Sequence, residues 1–292
     1  MLPAFELIRP RSLAEGLEAL APAGKEALPV AGGTNLIVDM RSRRHEPDVL
    51  VDISRLAELR GVRQEDGHVV AGAATTLAEI LADPLVARHA APLGSAAAAF
   101  ASPLVRNRAT LGGNLADGSP AADSAPPLLV LDAEVALASC GGTRWLPLDD
   151  FFVSVRKTRL QPGELLVAIR WPMPAPSAGG GFAKFGLRRA DAISVVSAAV
   201  FLDRGGDGIC RQARIALGAV APRPIRARAA EAALEGRKLD REAIDEAAML
   251  CGEAASPIDD VRGSAAYRRR LATVLVRRLL EANQASPRDG AR

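Results

Sequence analysis

The stretch Ala109-Thr-Leu-Gly-Gly-Asn-Leu-Ala-Asp-Gly-Ser-Pro120, ATLGGNLADGSP, decides the reading of this chain. Three glycines stand in it beside Thr110, Asn114 and Ser119. Paired glycines permit backbone angles that other residues avoid, and they remove the Cβ that would hold a ligand away. Successive N–H groups in such a turn make a concave anion site. A second segment of the same form lies upstream: Val30-Ala31-Gly32-Gly33-Thr34-Asn35-Leu36. In each, Gly-Gly follows an apolar run and a small polar residue flanks it. Hydroxyls of Thr34, Thr110 and Ser119 and amides of Asn35 and Asn114 can add hydrogen bonds to phosphate oxygens. Two such turns from distant parts of the chain can grip one diphosphate from both sides; two ordinary strand-to-loop turns are the plain alternative. Neither matches G-x-G-x-x-G opening a helix or G-x-x-x-x-G-K-[ST], so a Rossmann or P-loop site is not indicated.

Around these turns the chain alternates short strands and helices. Ser12-Leu-Ala-Glu15 and Thr76-Leu-Ala-Glu79 are capping boxes, and Leu13, Leu17 and Leu20 share a helical face. Ala27–Val30, Leu50–Ile53, His68–Ala73, Ala133–Ser139 and Glu164–Trp171 are expected as strands. Leu85–Phe100 is expected as a helix broken near Pro92. Pro172–Gly181 holds three prolines and three glycines and is expected as a linker. Three strands follow at Gly181–Leu187, Ile193–Leu202 and Arg211–Val220, the last two joined through Gly205-Gly-Asp-Gly208. Helices over Pro224–Leu234, Arg241–Ala254 and Ser264–Asn283 close the pattern. The expected domains are 1–175, with subdomains of about 1–60 and 61–175, and 181–283, with a disordered tail at 284–292. A sheet followed by helices makes the second domain α+β.

Composition excludes several classes. With 37 basic and 34 acidic residues the net charge is +3, too even for nucleic acid. No long charge-free apolar run suggests a membrane span, and the N-terminal MLPAFELIRPRS lacks a signal layout, so a cytoplasmic location is expected. Cys140, Cys210 and Cys251 are far apart, without C-x-x-C, and support no metal site. His45, His68 and His89 are scattered. No His/Asp/Ser constellation suggests a catalytic acid, base or nucleophile.

The run from Ser102 to Val135, SPLVRNRATLGGNLADGSPAADSAPPLLVLDAEV, closely resembles the signature of the FAD-binding medium subunits of molybdenum hydroxylases, the family of xanthine dehydrogenase and aerobic carbon monoxide dehydrogenase. AGGTNL resembles the family's first flavin loop. The resemblance extends over the whole chain, through Lys184-Phe-Gly-Leu-Arg-Arg-Ala-Asp191 and the closing YRRRLATVLVRRLL. It implies an α+β, vanillyl-alcohol-oxidase-type (PCMH) fold, with two α+β subdomains around an extended FAD, and a C-terminal α+β domain of a three-stranded sheet plus helices. It implies that Val30 to Leu36 and Thr110, Gly112, Gly113 and Asn114 hold the pyrophosphate, and that Ser119 and Asp123 reach the phosphate and ribose side. Phe100 lies against the cofactor, and Leu166 meets the adenine through its backbone. Lys184 and Asp191 come near the isoalloxazine.

The implied partners are a molybdopterin-binding large subunit and a small subunit with two [2Fe-2S] clusters, in a dimer of heterotrimers. The implied role is electron transfer from those clusters to NAD⁺, a quinone or O₂, with no catalytic side chain required. Three departures stand out. Ala192 replaces an aspartate of many relatives, the single tyrosine is Tyr267, and no cysteine-rich insertion lies between Asn114 and Ser119. A free-standing flavin oxidoreductase on the same fold, a FAD-less scaffold and a nucleotide-sugar-binding module are the competing readings.

Overall fold

The computed structural model describes residues 2–21, 24, 26–188 and 190–284. Three larger sheets and a two-stranded ribbon, Phe152–Ser154 with Lys157–Thr158, organise them. The first is parallel, with Val49–Asp52 between Glu6–Ile8 and Ala27–Val30. Its side chains pack with helix Leu13–Leu20 through Leu17, Leu20, Val49 and Val51. Ser12 caps that helix by accepting from the Glu15 N–H, but the Glu15 carboxylate reaches the Arg11 N–H instead of closing the box. The box at Thr76 and Glu79 is complete.

The second sheet is antiparallel, in the order Val62–Glu65, His68–Gly72, Leu165–Pro172, Glu134–Ser139, Gly142–Pro147. Its two outer strands, VRQE and GTRWLP, are mostly exposed, and their polar sequences gave no alternation to read. Helices Pro84–His89 and Ala91–Ala99 replace the single one expected. Asp83 caps the first, and the break falls at Ala90, just before Pro92.

The third sheet is antiparallel: Ala178–Phe185, Val196–Arg204, Cys210–Gly218 and the two-residue Ile225–Arg226. The short fourth strand joins the three expected ones and delays the next helix, which runs Arg228–Leu234. The expected linker shrinks, because Gly179, Gly180 and Gly181 lie within the first strand. A Cβ on Gly180 would stand 1.9 Å from the Val200 carbonyl oxygen, so close backbone approach, not looseness, explains that glycine.

Two cores cover the two faces of this sheet. Phe182, Ala199, Phe201 and Ala216 join the core of the second sheet. Val196, Ala198, Val200 and Ile215 pack with helices Arg228–Leu234, Arg241–Ala254 and Ala265–Gln284. Gln284 ends the last helix; the remainder of the expected tail, 285–292, lies outside the described residues. Among the described residues no helix is long and apolar enough to cross a membrane.

Candidate functional site

The two glycine turns meet. Strand Ala27–Val30 ends at the first, which leads into the short helix Leu36–Arg41. The second is itself the start of a short helix, Leu111–Ala116. Between them and the strand Leu165–Pro172 runs a cleft of about 330 Å³. It is lined by Val30, Ala31, Gly32, Gly33, Thr34, Asn35 and Leu36, by Phe100, by Thr110, Gly112, Gly113 and Asn114, and by Leu166. Thirteen residues singled out in the sequence thus come together from four separate segments.

The glycines do different jobs. Of the two pairs, only Gly33 has a left-handed backbone, φ +70°. A Cβ on Gly32 would lie 2.0 Å from the Arg108 carbonyl oxygen, and one on Gly112 would lie 2.5 Å from the Ala73 Cβ. The first glycine of each pair therefore lets the chain approach itself. The second of each pair faces other demands: Gly33 supplies the turn, and Gly113 is exposed beside the cleft.

Backbone donors divide just as sharply. The N–H groups of Leu111 and Gly112 donate to the carbonyls of Thr75 and Ala73, at 2.9 and 2.8 Å, and that of Gly113 donates to Thr110 Oγ1 at 3.1 Å. The N–H groups of Gly32, Gly33, Thr34 and Asn35 have no acceptor among the described residues. The side chains of Thr34 and Asn35 are uncommitted too. In the second turn, Asn114 Oδ1 accepts from Ser124, through its N–H at 3.3 Å and its hydroxyl at 2.5 Å. Because the Ser124 N–H can only donate, the contacting atom is the oxygen, and the NH₂ of Asn114 is left for the cleft.

Such a cleft suits a diphosphate-bearing dinucleotide. Uncommitted N–H groups supply anion donors, and apolar Phe100, Ile53 and Leu165 give walls for ring systems. The Leu165–Pro172 strand carries an irregularity between Leu166 and Ala168, where it borders the cleft.

Four expected residues lie elsewhere. Asp123 and Lys184 are not among the lining residues; they bind each other. Lys184 Nζ sits 2.6 Å from Asp123 Oδ2 and 3.2 Å from the Ala192 carbonyl. Ser194 Oγ donates to Asp123 Oδ1 at 2.5 Å. Burial pushes the Asp123 carboxyl above its ordinary range, and the Lys184 ammonium and the Ser194 hydroxyl pull it back. This cluster joins the cleft-bearing part of the chain to the C-terminal sheet. Arg223 with Asp149 and Arg226 with Asp132 join them again, each at 2.8 Å. Ser119 Oγ accepts from the Ala121 N–H at 3.2 Å. Asp191 is exposed, with φ +53°, and its carbonyl accepts from Arg188 Nε at 3.0 Å.

The cleft also has residues that the sequence reading passed over. His45 lines it, though the histidines looked incidental. Asp39, Asp117 and Glu164 line it as well. Arg144 grips Glu164 through two nitrogens, at 2.7 and 2.8 Å, and holds its carboxyl below the ordinary range. Asp39 lies four positions after Asn35, one helical turn on, which was the available signal for it. Among the described residues no group of three or more His, Cys, Asp or Glu is arranged to hold a metal ion.

A cleft built from two glycine turns, one with open backbone donors, is the kind of site that binds a diphosphate-bearing cofactor. Comparison with known proteins fixes which one. Residues 3–174 match the FAD binding domain in molybdopterin dehydrogenase, and residues 182–282 match the CO dehydrogenase flavoprotein C-terminal domain. The carbon monoxide dehydrogenase medium chain of Hydrogenophaga pseudoflava is 34% identical over 280 residues, covering 96% of this chain and 97% of that one. The putative xanthine dehydrogenase FAD-binding subunit of Escherichia coli K12 is 33% identical over 274 residues, 93% of each. A solved carbon monoxide dehydrogenase structure from H. pseudoflava superposes with a TM-score of 0.93 at 36% identity, covering 98% of this chain and 99% of that one.

The chain belongs to the FAD-binding subunits of the molybdenum hydroxylases, the xanthine dehydrogenase and carbon monoxide dehydrogenase type. The expected PCMH-type fold with its C-terminal domain holds. The cofactor is FAD, and the activity to which the chain contributes is that of an oxidoreductase.

Proposed function

We propose that this chain is the electron-transfer subunit of a molybdenum hydroxylase, passing electrons from [2Fe-2S] clusters on a small partner to NAD⁺, a quinone or O₂. A molybdopterin-binding large subunit would complete the assembly, as a dimer of heterotrimers in the cytoplasm. The observation that carries this reading is the cleft itself: two glycine turns lining one cavity, the first with open backbone donors. FAD, when bound, supplies the redox chemistry.

The chain's own residues bind and orient. The N–H groups of Gly32 to Asn35, the Thr34 hydroxyl and the Asn114 NH₂ are the donors offered to the diphosphate. Val30, Ala31 and Leu36 frame the first turn, and Thr110, Gly112 and Gly113 form the second. Phe100 lies against the cofactor, and the backbone at Leu166 meets the adenine. Ser119 and Asp123 belong to the phosphate and ribose side, and Lys184 and Asp191 to the isoalloxazine end, where the C-terminal domain 181–283 docks on the FAD domain 1–175. Asp123 and Lys184 fix that docking through their ion pair.

The test is reduction of the bound flavin, followed by its visible absorbance, on adding the reduced iron–sulfur partner. Prompt bleaching supports electron transfer between subunits. Bleaching by a small organic substrate with no partner present would favour a free-standing oxidoreductase instead.

A further inference from the structure

We propose that Arg156 is a positioning residue that spans the two glycine turns and sets their spacing, and with it the grip on the FAD diphosphate. The inference rests on FAD occupying the cleft as proposed above. Arg156 does not line the cleft. It sits in the tight turn between strands Phe152–Ser154 and Lys157–Thr158, with a left-handed φ of +54°.

Three contacts tie it to both turns. Its Nη1 lies 2.8 Å from Asp39 Oδ2. Asp39 is on the short helix that issues from the first turn. The same nitrogen lies 3.4 Å from Asp117 Oδ1, and Asp117 caps the C-terminal end of the helix that begins at the second turn. The Arg156 N–H donates to the Gly118 carbonyl at 2.9 Å, directly after Asp117. Gly118 has φ +61°, and a Cβ there would press on the Arg156 backbone at 3.1 Å.

Charge makes the arrangement necessary. Asp39 and Asp117 are largely buried, with side chains 7% and 13% exposed. Asp117 Oδ2 is buried without a hydrogen-bond partner. Two carboxylates bordering a diphosphate cleft repel both each other and the ligand unless a cation compensates them. Arg44 serves only Asp39, at 3.2 Å. Among the described residues Arg156 is the cation that both carboxylates share. A lysine carries the charge, but its ammonium ends one bond short of the guanidinium Nη1 that meets both carboxylates, so it cannot reach the two acceptors equally well.

The test uses the full chain, with FAD affinity and the unfolding midpoint of the FAD-free protein measured for wild type, R156Q, R156K and R156Q/D39N. R156Q is expected to weaken FAD about tenfold. R156K is expected to recover part of that loss with a wild-type midpoint, and adding D39N to R156Q should cost little more, because both act through one contact. Wild-type FAD affinity in R156Q would overturn the proposal, and so would full recovery in R156K. Should R156Q fail to fold, R156K decides alone: weakened FAD with an unchanged midpoint supports the strut, unchanged affinity overturns it. A wild-type chain that takes up no FAD would instead overturn the assignment of the cleft itself.

Discussion

The two glycine turns look alike in sequence and differ in what their backbones are free to do. In Thr110–Asn114 the peptide groups are already spent on the turn that follows strand His68–Gly72, at Ala73 and Thr75, and on the helix's own first turn. In Gly32–Asn35 they are open. One turn is thus a fixed wall and the other a set of donors. A shared Gly-Gly pattern reports close packing, since the first glycine of each pair touches another backbone. It does not report which turn binds. Ligand donors are those that the fold leaves unpaired, because a buried N–H already satisfied has little to offer a phosphate.

The largest effects should break folding in both turns alike. Gly32→Ala drives a Cβ into the Arg108 carbonyl, and Gly112→Val drives a larger side chain into Ala73. Each is expected to destabilise the FAD-free chain by about 3 kcal/mol or more, read by denaturant unfolding; FAD loss in either variant would then follow from unfolding.

Gly33→Ala separates the turns. Its φ of +70° strains any residue with a Cβ, for a cost of about 1–2 kcal/mol. Gly113→Ala meets only the Thr110 hydroxyl, at 2.8 Å, and should cost less than Gly33→Ala in both stability and FAD affinity.

The threonines sharpen the contrast. Thr110→Ala removes a helix cap and should cost the FAD-free chain about 1 kcal/mol. Thr34→Ala should leave the FAD-free chain unchanged and weaken FAD by about 1 kcal/mol, one hydrogen bond's worth. The reverse pattern would exchange the roles assigned to the two turns.

The smallest effect lies on the cleft but on neither turn. The Arg144 guanidinium lowers the Glu164 carboxyl in the folded chain. Its stabilisation is present above the ordinary carboxylate range of about 4 and is lost as pH falls through the lowered folded value. Glu164→Gln should therefore flatten acid unfolding by about 0.5 kcal/mol, with the neutral-pH comparison of the two turns untouched.

Much of the fold was legible because its signals are local. Capping at Ser12 and Thr76, the break near Pro92 and the hairpin at Gly205–Gly208 depend on neighbours in sequence. Edge strands such as Val62–Glu65 escaped, since exposed strands need no apolar alternation. Gly179–Gly181 looked like a linker because glycine marks flexible chain and tight backbone contact equally, and only the partner strand distinguishes them.

At the site, residue types pointed to the turns, but the destinations of their N–H groups depend on Ala73 and Thr75, dozens of residues away. The same limit hid Arg156, whose acceptor Asp39 is 117 positions distant. Asp123 and Lys184 were each singled out separately, and nothing in the sequence said that they would meet each other.

Amide hydrogen exchange of the full chain, with and without FAD, tests the central claim most directly. The expected result is that the Gly32–Asn35 amides exchange fast in the free chain and become protected by FAD, while Leu111, Gly112 and Gly113 are protected in both states. Unchanged exchange at Gly32–Asn35 on saturation with FAD, or new protection confined to Leu111–Gly113, would contradict it.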